Sequence, residues 1–566
     1  MPPTDPTAAP LLETIAPETI ADESVRQTIS LLLNHIERLE SEVNVLRAEN
    51  QRLRDENNRL KGEQGKPDIK PNRAKGSQSN HSSERERKKP QAHQKGSKNE
   101  HLKIDREQVL KIPLEKLPAD ALFKGYEDVI VQDIKLTTDN VLFRKEKYYS
   151  PSSGKTYLAD LPKGYQGQFG PGVKALMLSL YFEGNMTEGK LLEFLSDIGI
   201  SISAGQLSNL LIKDHQAFHT EKQEVYQAGL ASSPWQHFDQ TSARVGGENQ
   251  TCNVVCNPLY TVYDTTVKKD RLTVLDVLQG GQERQFLLNE EAFELMKTFN
   301  LPQKIILELQ QPPKDTQMGE ATFLEQLLSQ LPKLGKQQQS RILEAAAIAH
   351  YHAQTCWPVV QALVCDDAPQ FKLLTLELAL CWIHEGRHYK KLSPAVAYHR
   401  QLLDNFIDRY WDYYDQLLEY REHPSRDAAE QLQQQFQELF ATTTGYWELD
   451  ERIRLTKAKQ SELLLVLEHP EIPLHNNPAE LGARTMVRRR LISYSTQTSV
   501  GTQAWDTFLS LVATTRKLGI SFLEYVRDRI SQSGSIERLA QIIRQKAATT
   551  PLGWSWPTDV LLSPDY

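Results

Sequence analysis

Three acidic residues stand in settings where a carboxylate is suited to binding a divalent cation. Asp239 lies in WQHFDQTSARV, where an acidic side chain among apolar neighbours needs a partner or a cation. Asp366 follows the apolar run WPVVQALVC, and ligands of α/β sheets gather at the carboxyl ends of strands. Glu480 falls in NNPAELGARTMVRRR, which Pro478 is suited to begin as a helix. Carboxylates favour hard cations such as Mg²⁺, so these residues are candidate metal ligands.

Each carboxylate also has a structural interpretation. Taken alone, Asp239 fits a salt bridge better than a metal ligand, and Glu480 fits an i,i+4 ion pair with Arg484. Asp367 directly follows Asp366, and successive side chains of a strand point in opposite directions. We select Asp366 because it comes first after the apolar run. The metal-ligand interpretation is favoured by the order of the three acids along the chain: two aspartates in or after strands, then a glutamate on a basic helix.

Basic and polar residues close in sequence to these acids are candidate phosphate contacts, which position DNA without reading its sequence. They are Arg244, His384, Arg387, Asn477, Arg484 and Arg488. The segment FKLLTLELALCWIHEGRHYKKL is predicted to be one helix ending in a basic tip, and that tip is equally compatible with a solvated helix end.

Strands must position the first two acids. An antiparallel meander is predicted from WQHFDQTSARV, NVVCNPLYTVYDTT and RLTVLDVLQGG. Helical insertions are predicted at about 285–355 and 395–465. The second insertion carries a group of aromatic residues for which packing between helices is favoured over stacking on DNA. These are Tyr410, Trp411, Tyr413 and Tyr414.

A leucine repeat of seven residues marks the N-terminal region. Leucine recurs at 32, 39, 46, 53 and 60, and Ile29, Ile36, Val43, Asn50 and Asn57 stand three positions before each. Leucine at d with β-branched residues and asparagine at a predicts a parallel two-stranded coiled coil, and hence a homodimer or higher homo-oligomer. The alternative is one long amphipathic helix packed on its own chain.

Three further segments precede the meander. The stretch from about 61 to 98 is basic and poor in apolar residues, which predicts a disordered linker suited to phosphate contact or to solvation alone. EDVIVQDIKL, NVLFRKEKYY and KTYLADL predict a small β-rich module. The helices that follow include TEGKLLEFLSDIG and SAGQLSNLLI, whose short connection permits a helix-turn-helix or a plain helical packing unit.

Composition bounds the class of protein. The chain has 566 residues, 39% hydrophobic and 25% charged, with a net charge of -7, which is typical of a soluble protein of several domains. No apolar run is long enough for a membrane span, and the acidic, proline-containing N-terminus does not resemble a secretory signal. We therefore expect a cytoplasmic, nucleoid-associated protein. The five cysteines form no C-x-x-C pair, so neither disulfides nor structural zinc is expected.

Together these patterns divide the chain into consecutive regions. The boundaries are 1–24 for a disordered N-terminus, 25–62 for the coiled coil, 63–100 for the linker, 101–165 for the β-rich module, 166–230 for the helical, possibly DNA-binding region, 231–530 for the catalytic domain with its two insertions, and 531–566 for a C-terminal helix and tail.

The order of motifs resembles that of the DDE transposases of bacterial insertion sequences, in particular the IS66-like group. The matching features are Asp239 in FDQTSARV, Asp366 followed by the Cys-Trp-Ile-His segment that begins at Cys381, and Asn477 with Glu480 in NNPAELGARTMVRRR. The zipper and basic linker are also similar. Two features depart from the group: the interval between the aspartates is long, and the paired cysteines of a zinc module after the zipper are missing.

The resemblance implies an α/β fold in which a ribonuclease-H-like catalytic domain with helical insertions follows the coiled coil, the β-rich module and the helical region. It implies that Asp239, Asp366 and Glu480 are catalytic and hold two Mg²⁺ ions, with Mn²⁺ as a substitute. Water would first cleave the DNA at the element end, and the exposed 3′-OH would then attack target DNA. Accessory proteins are compatible with this mechanism. Alternatives are an inactive or domesticated DNA-binding assembly protein and a metal-dependent nuclease without strand transfer.

Overall fold

A computed structural model of the chain describes residues 15–61, 102–118, 120–165, 167–311 and 316–556. The predicted basic linker at 63–100, most of the predicted disordered N-terminus and the last ten residues of the predicted tail lie outside the described residues.

Helix α1 spans Glu23–Leu60, as the leucine repeat predicted. The leucines at 32, 39, 46, 53 and 60 are 53%, 55%, 63%, 54% and 80% exposed. By contrast Leu33, Asn34 and Glu37 are buried. Asn34 Nδ2 donates to the Gly445 carbonyl at 2.7 Å, so the first turns of α1 pack on the same chain. The zipper leucines lie on the solvent-exposed part of the helix, and their pairing with a second copy stays a prediction.

The region predicted as a β-rich module contains one hairpin within its described residues, formed by β1 (Lys147–Ser150) and β2 (Lys155–Leu158). The strand prediction for EDVIVQDIKL is wrong: these residues form no ladder, and Val129, Val131 and Ile134 are more than three-quarters exposed. Alternation of residue types gives a strand only where a neighbouring chain segment pairs with it and covers its apolar face.

The next region is helical, as predicted. It consists of α2 (Pro171–Leu178), a π-helical turn (Ser179–Glu183), α3 (Glu188–Asp197), α4 (Ala204–Ile212) and α5 (Gln216–Ala231). The side chain of Ser203 caps α4 by accepting from Gln206 N at 3.3 Å. Helix α4 itself carries neither lysine nor arginine, and DNA binding by α3 and α4 stays a prediction.

A central sheet begins with β3 (Trp235–Val245), β4 (Glu248–Asn257) and β5 (Tyr260–Thr266), which form an antiparallel meander. The predicted second strand is therefore two strands, separated where the Asn257 side chain accepts from Leu259 N at 2.9 Å. The predicted third strand, RLTVLDVLQGG, is instead helix α6 (Arg271–Leu278). Asp270 caps this helix by accepting from Thr273 N at 2.9 Å.

The segment predicted as the first helical insertion is largely helical. It contains a short antiparallel pair of strands, β6 (Gln285–Phe286) and β7 (Met318–Gly319), with α7 (Glu290–Thr298), α8 (Gln303–Leu309), α9 (Glu320–Gln330) and α10 (Lys336–Ala353). The buried alanines 345–347 and Ala349 let α10 pack closely on its neighbours, and its end leads the chain back to the sheet.

The sheet is completed by β8 (Ala362–Cys365) and β9 (Glu377–Leu380), both parallel to β3. In the described chain its strand order is β5-β4-β3-β8-β9. The prediction of one helix from Phe371 to Leu392 is wrong, because the segment forms β9 and then α11 (Trp382–Lys391). Main-chain pairing with β8 stabilises the strand, and this pairing partner is not visible in local periodicity. The chain is thus α/β, with a mixed sheet flanked by helices.

The second predicted insertion is also helical and consists of α12 (Ala397–Glu422), α13 (Arg426–Phe440), α14 (Trp447–Lys457) and α15 (Gln460–Leu463). The four aromatic residues of α12 named above are 1–4% exposed, so they pack between helices as predicted. This insertion has its own apolar core.

Four helices end the described chain: α16 (Asn477–Ser493), α17 (Ser499–Leu518), α18 (Phe522–Ser531) and α19 (Leu539–Thr549). Helix α17 is bound to the edge strand β5, since Thr265 N donates to Asp506 Oδ2 at 2.8 Å. None of the helices within the described residues combines the length and apolar composition needed to cross a bilayer.

Candidate active site

The two aspartates are brought together by the parallel pairing of β3 and β8. His237 is the register partner of Val364, so Asp239 and Asp366 lie two residues further along adjacent strands. Asp366 directly follows the last residue of β8, as predicted. Glu480 lies in the first turn of α16, which packs across β3 and β4. The sheet and one helix therefore carry all three predicted acids to one region.

The electrostatic environment of Asp239 includes both of the other acids. Burial is the main cause that raises the pKa of Asp239 to about 6, and the negative charges of Asp366 and Glu480 raise it further. The opposing contact is the Gln240 main-chain N–H, which donates to Asp239 Oδ1 at 2.8 Å. A buried group with carboxylate neighbours is an arrangement that a cation would stabilise.

Glu480 is surrounded by nitrogen atoms. Its Oε1 lies 3.6 Å from His384 Nδ1, and its Oε2 lies 3.4 Å from Arg387 Nη2. Arg484 Nη2 is 4.0 Å from the same Oε2, one helical turn away. The structure thus gathers three of the predicted phosphate contacts around the glutamate, and the side chain of Glu480 is only 13% exposed.

Asp367 has a different environment from that of Asp366. Although burial acts to raise its pKa, ion pairs with Lys372 at 2.8 Å and Lys459 at 2.5 Å outweigh that effect and hold the pKa below its usual value. Lys459 also pairs with Glu385 of α11 at 3.1 Å. Asp367 is therefore engaged in linking the sheet to α11 and the second insertion.

Asn477 begins the helix that bears Glu480, and the other two predicted phosphate contacts lie further away. Arg244 is at the far end of β3, roughly 16 Å beyond Asp239 at the rise of a strand, and its Nε donates to Gly247 O at 3.1 Å. Arg488 is exposed on α16, roughly 12 Å beyond Glu480 at the rise of a helix. The structure therefore does not bring these two arginines to the carboxylates.

Comparison with known proteins gives a consistent result. Residues 343–504 match the model of the Transposase IS66 family, a range that includes Asp366 and Glu480. A protein of Sinorhizobium fredii (strain NBRC 101917 / NGR234), named Uncharacterized protein y4jO, is 31% identical over 327 residues. The match spans 57% of this chain and 100% of that protein. The chain belongs to the IS66 transposase family.

The site of this family member contains a positioning residue that the sequence did not single out. Asn476, fully buried, precedes the predicted Asn477. Its Nδ2 donates to the Phe238 carbonyl at 2.7 Å, which leaves its Oδ1 to accept from the Nδ1–H of His237 at 3.0 Å. Burial lowers the pKa of His237 to about 3, so this ring is neutral at physiological pH. The paired asparagines before Pro478 were the available signal.

The acids fit a hard divalent cation by their chemistry, because carboxylate oxygens are preferred ligands of Mg²⁺. Burial first, and then the charges of Asp366 and Glu480, raise the pKa of Asp239, and a cation would offset both effects. The oxygens are nevertheless spread out. Among the described residues, a carboxylate oxygen of Glu480 lies within 4.8 Å of potential ligand atoms of both Cys381 and His384. Neither aspartate belongs to this group.

Proposed function

We propose that the chain is a DNA transposase that cleaves at insertion-sequence ends and joins the resulting 3′-OH to target DNA, with Asp239, Asp366 and Glu480 as its metal ligands. The observation that carries this proposal is the parallel register of β3 and β8, which brings Asp239 and Asp366 to equivalent positions of adjacent strands, with the helix that bears Glu480 packed across β3. The mixed sheet flanked by helices, with an acid on β3 and another after β8, supports the ribonuclease-H-like assignment.

Two Mg²⁺ ions held by these acids would supply activation of the attacking oxygen and stabilisation of the leaving oxygen. The chain itself supplies position and charge. Arg387, Arg484 and Arg488 would hold phosphates, since guanidinium groups match phosphate geometry. Asn476 would keep Glu480 at a fixed place relative to Asp239. Neither a nucleotide cofactor nor a covalent protein intermediate is required for this chemistry.

The exposed leucines of α1 support a second part of the proposal, assembly through the zipper. Among the described residues, the leucines that recur every seven positions on α1 lie exposed, without a hydrophobic partner from the same chain. A second copy of α1 presents the same face, so a parallel pair would bury both. The DNA ends of one element would then be held by two copies of the chain.

The test is cleavage and joining of a labelled DNA that carries the flanking element ends, with Mg²⁺ or Mn²⁺. Asp239→Ala and Glu480→Ala should abolish joining, because each removes a metal ligand. Glu248→Ala, which removes an exposed acid from the adjacent strand β4, is the matched control and should retain activity.

Other outcomes separate the alternative functions. Metal-dependent cleavage without joined products would favour a nuclease. DNA binding with neither reaction would favour an assembly protein. Joining that survives both alanine substitutions would refute the assignment of the site.

A further inference from the structure

A second ligand set lies beside the proposed Mg²⁺ ligands. Cys381 Sγ, a ring nitrogen of His384 and a carboxylate oxygen of Glu480 all lie within 4.8 Å of one another. Cys381 is the residue before α11 and His384 is in its first turn, so the i,i+3 spacing places both on one face. Glu480 faces them from the first turn of α16. Glu480 lies about a hundred positions after Cys381 and His384 in the sequence.

The geometry between His384 and Glu480 is unusual for a hydrogen bond. His384 Nδ1 is buried and has no hydrogen-bond partner among the described residues. It lies 3.6 Å from Glu480 Oε1. Two ligands of one tetrahedral zinc ion, with bonds of about 2.1 Å, are separated by about 3.4 Å. The gap between these atoms is therefore close to the gap between two ligands of a shared ion.

The donor types select the class of metal. A thiolate, an imidazole and a carboxylate form a mixed set that suits Zn²⁺ and Co²⁺, whereas Mg²⁺ requires oxygen ligands. Three protein ligands leave the fourth tetrahedral position for water. Binding would deprotonate the Cys381 thiol and release the proton to solvent.

We propose that Cys381, His384 and Glu480 form a binding site for a borderline transition-metal ion such as Zn²⁺, and that its occupation withdraws Glu480 from the two aspartates. The second clause rests on the proposed transposase function, and the first does not. A zinc ion at this place would inhibit joining by competing for the glutamate, without occupying the positions of Asp239 and Asp366.

Spectroscopy of the metal-free full chain with Co²⁺ tests the site independently of activity. We expect intense visible bands of tetrahedral Co²⁺ together with a near-ultraviolet thiolate-to-metal charge-transfer band, all removed by added Zn²⁺. Cys381→Ser should lose the charge-transfer band, and His384→Ala should weaken Co²⁺ binding at least tenfold. Cys356→Ser removes an exposed cysteine elsewhere and should leave the spectrum unchanged.

The proposal is overturned if the intact chain gives no charge-transfer band, or if the band persists in Cys381→Ser. Since Cys381 Sγ also accepts from Asn476 N at 3.3 Å, Cys381→Ser is compared with the intact chain by circular dichroism. If it does not fold, His384→Ala carries the test, because that side chain is 28% exposed and its Nδ1 has no hydrogen-bond partner to lose. Unchanged Co²⁺ affinity in His384→Ala would also refute the site.

Joining assays in Mg²⁺ with added Zn²⁺ test the inhibitory consequence. The Cys356→Ser protein should lose activity at a Zn²⁺ concentration at least tenfold below that required by Cys381→Ser. Equal sensitivity of the two variants would refute competition for Glu480. If the chain gives the Co²⁺ bands but never joins DNA, the proposed metal site stands and the proposed transposase function is refuted.

Discussion

Asn476 Nδ2 donates to the main-chain carbonyl of Phe238 at 2.7 Å, which ties the start of the helix bearing Glu480 to the residue before Asp239. The amide oxygen of Asn476 takes the Nδ1–H of His237 on the same strand. Because all three groups are buried, the separation of the two proposed metal ligands depends on a polar contact away from solvent.

Asn476→Ala should destabilise the chain and impair metal binding. The substitution removes the acceptor of the His237 Nδ1–H and a donor to the Phe238 carbonyl, and a buried polar group left unpaired costs about 1–3 kcal/mol. Urea unfolding measures the loss, and Mn²⁺ titration measures the metal affinity. Asn477→Ala, at the next position, is the control and should change unfolding far less. Equal effects of the two substitutions would contradict the positioning role of Asn476.

Asp239→Asn should stabilise the metal-free chain at neutral pH. The pKa of Asp239 is raised from 3.8 to about 6 on folding, so the folded state holds the proton more tightly and stability falls as pH rises between these values. Asparagine carries no such charge. At about 1.4 kcal/mol for each pH unit between the two values, the gain above pH 6 is at most about 3 kcal/mol.

The check is urea unfolding with a chelator, at pH 7.5 and near pH 4. The advantage of Asp239→Asn should fade at the lower pH, and Mg²⁺ should stabilise the unsubstituted chain alone. If the unsubstituted chain is at least as stable as Asp239→Asn at pH 7.5, the charge of the Asp239 carboxylate is already balanced by neighbouring groups of the protein.

Asp366→Asn should impair function, whereas Asp367→Asn should impair stability. Asp366→Asn should abolish joining with a small change in stability, because it removes a proposed ligand. Asp367→Asn leaves Lys459, whose side chain is 13% exposed, with one fewer carboxylate, and we expect a loss of about 1–3 kcal/mol. At temperatures where it remains folded, Asp367→Asn should still join DNA. The opposite pattern would make Asp367 the ligand.

Gly482→Ala should displace α16 from the sheet. A Cβ atom at Gly482 would lie 2.7 Å from Val254 Cγ1, closer than packed atoms approach. We expect a destabilisation of about 1–3 kcal/mol and reduced joining, since Glu480 lies on the same helix. Gly189→Ala is the control, because a Cβ atom there meets nothing within 4 Å and helical alanine is favoured. Thermal unfolding of both variants decides whether close packing at Gly482 is required.

Leu39→Lys with Leu46→Lys should convert the proposed dimer into a monomer. Both leucines lie on the zipper face and are more than half exposed in the single chain, so charge there should oppose pairing without loosening the core. Analytical ultracentrifugation gives the mass. Val45→Lys, at a 63% exposed position off that face, should leave the dimer intact. If the unsubstituted chain is already a monomer, the zipper is not sufficient to assemble it.

The local sequence pattern was sufficient to predict helices and strands whose apolar residues recur with the period of a helix or a strand. The leucine repeat predicted α1, the apolar run before Asp366 predicted β8, and the helical insertions followed from their periodicity. It failed for RLTVLDVLQGG, which is helical because Asp270 caps it, and for β9, whose hydrogen-bond partners belong to β8. The pairing of β9 with β8 joins residues fifteen positions apart, such as Ala362 and Glu377, which no local period reports. The Asp270 cap, by contrast, is a local signal that the strand prediction did not use.

By itself, the sequence determined the kinds of residues available for chemistry, the family resemblance they carry and the helix that presents the zipper leucines. Only the tertiary structure decided their surroundings: that Asp367 is bound by two lysines, that Asn476 rather than Asn477 joins Glu480's helix to β3, and that Cys381 and His384 face Glu480. The physical reason is that burial and charge at each of these atoms are set by residues from distant segments, which meet only when the sheet and its helices are packed.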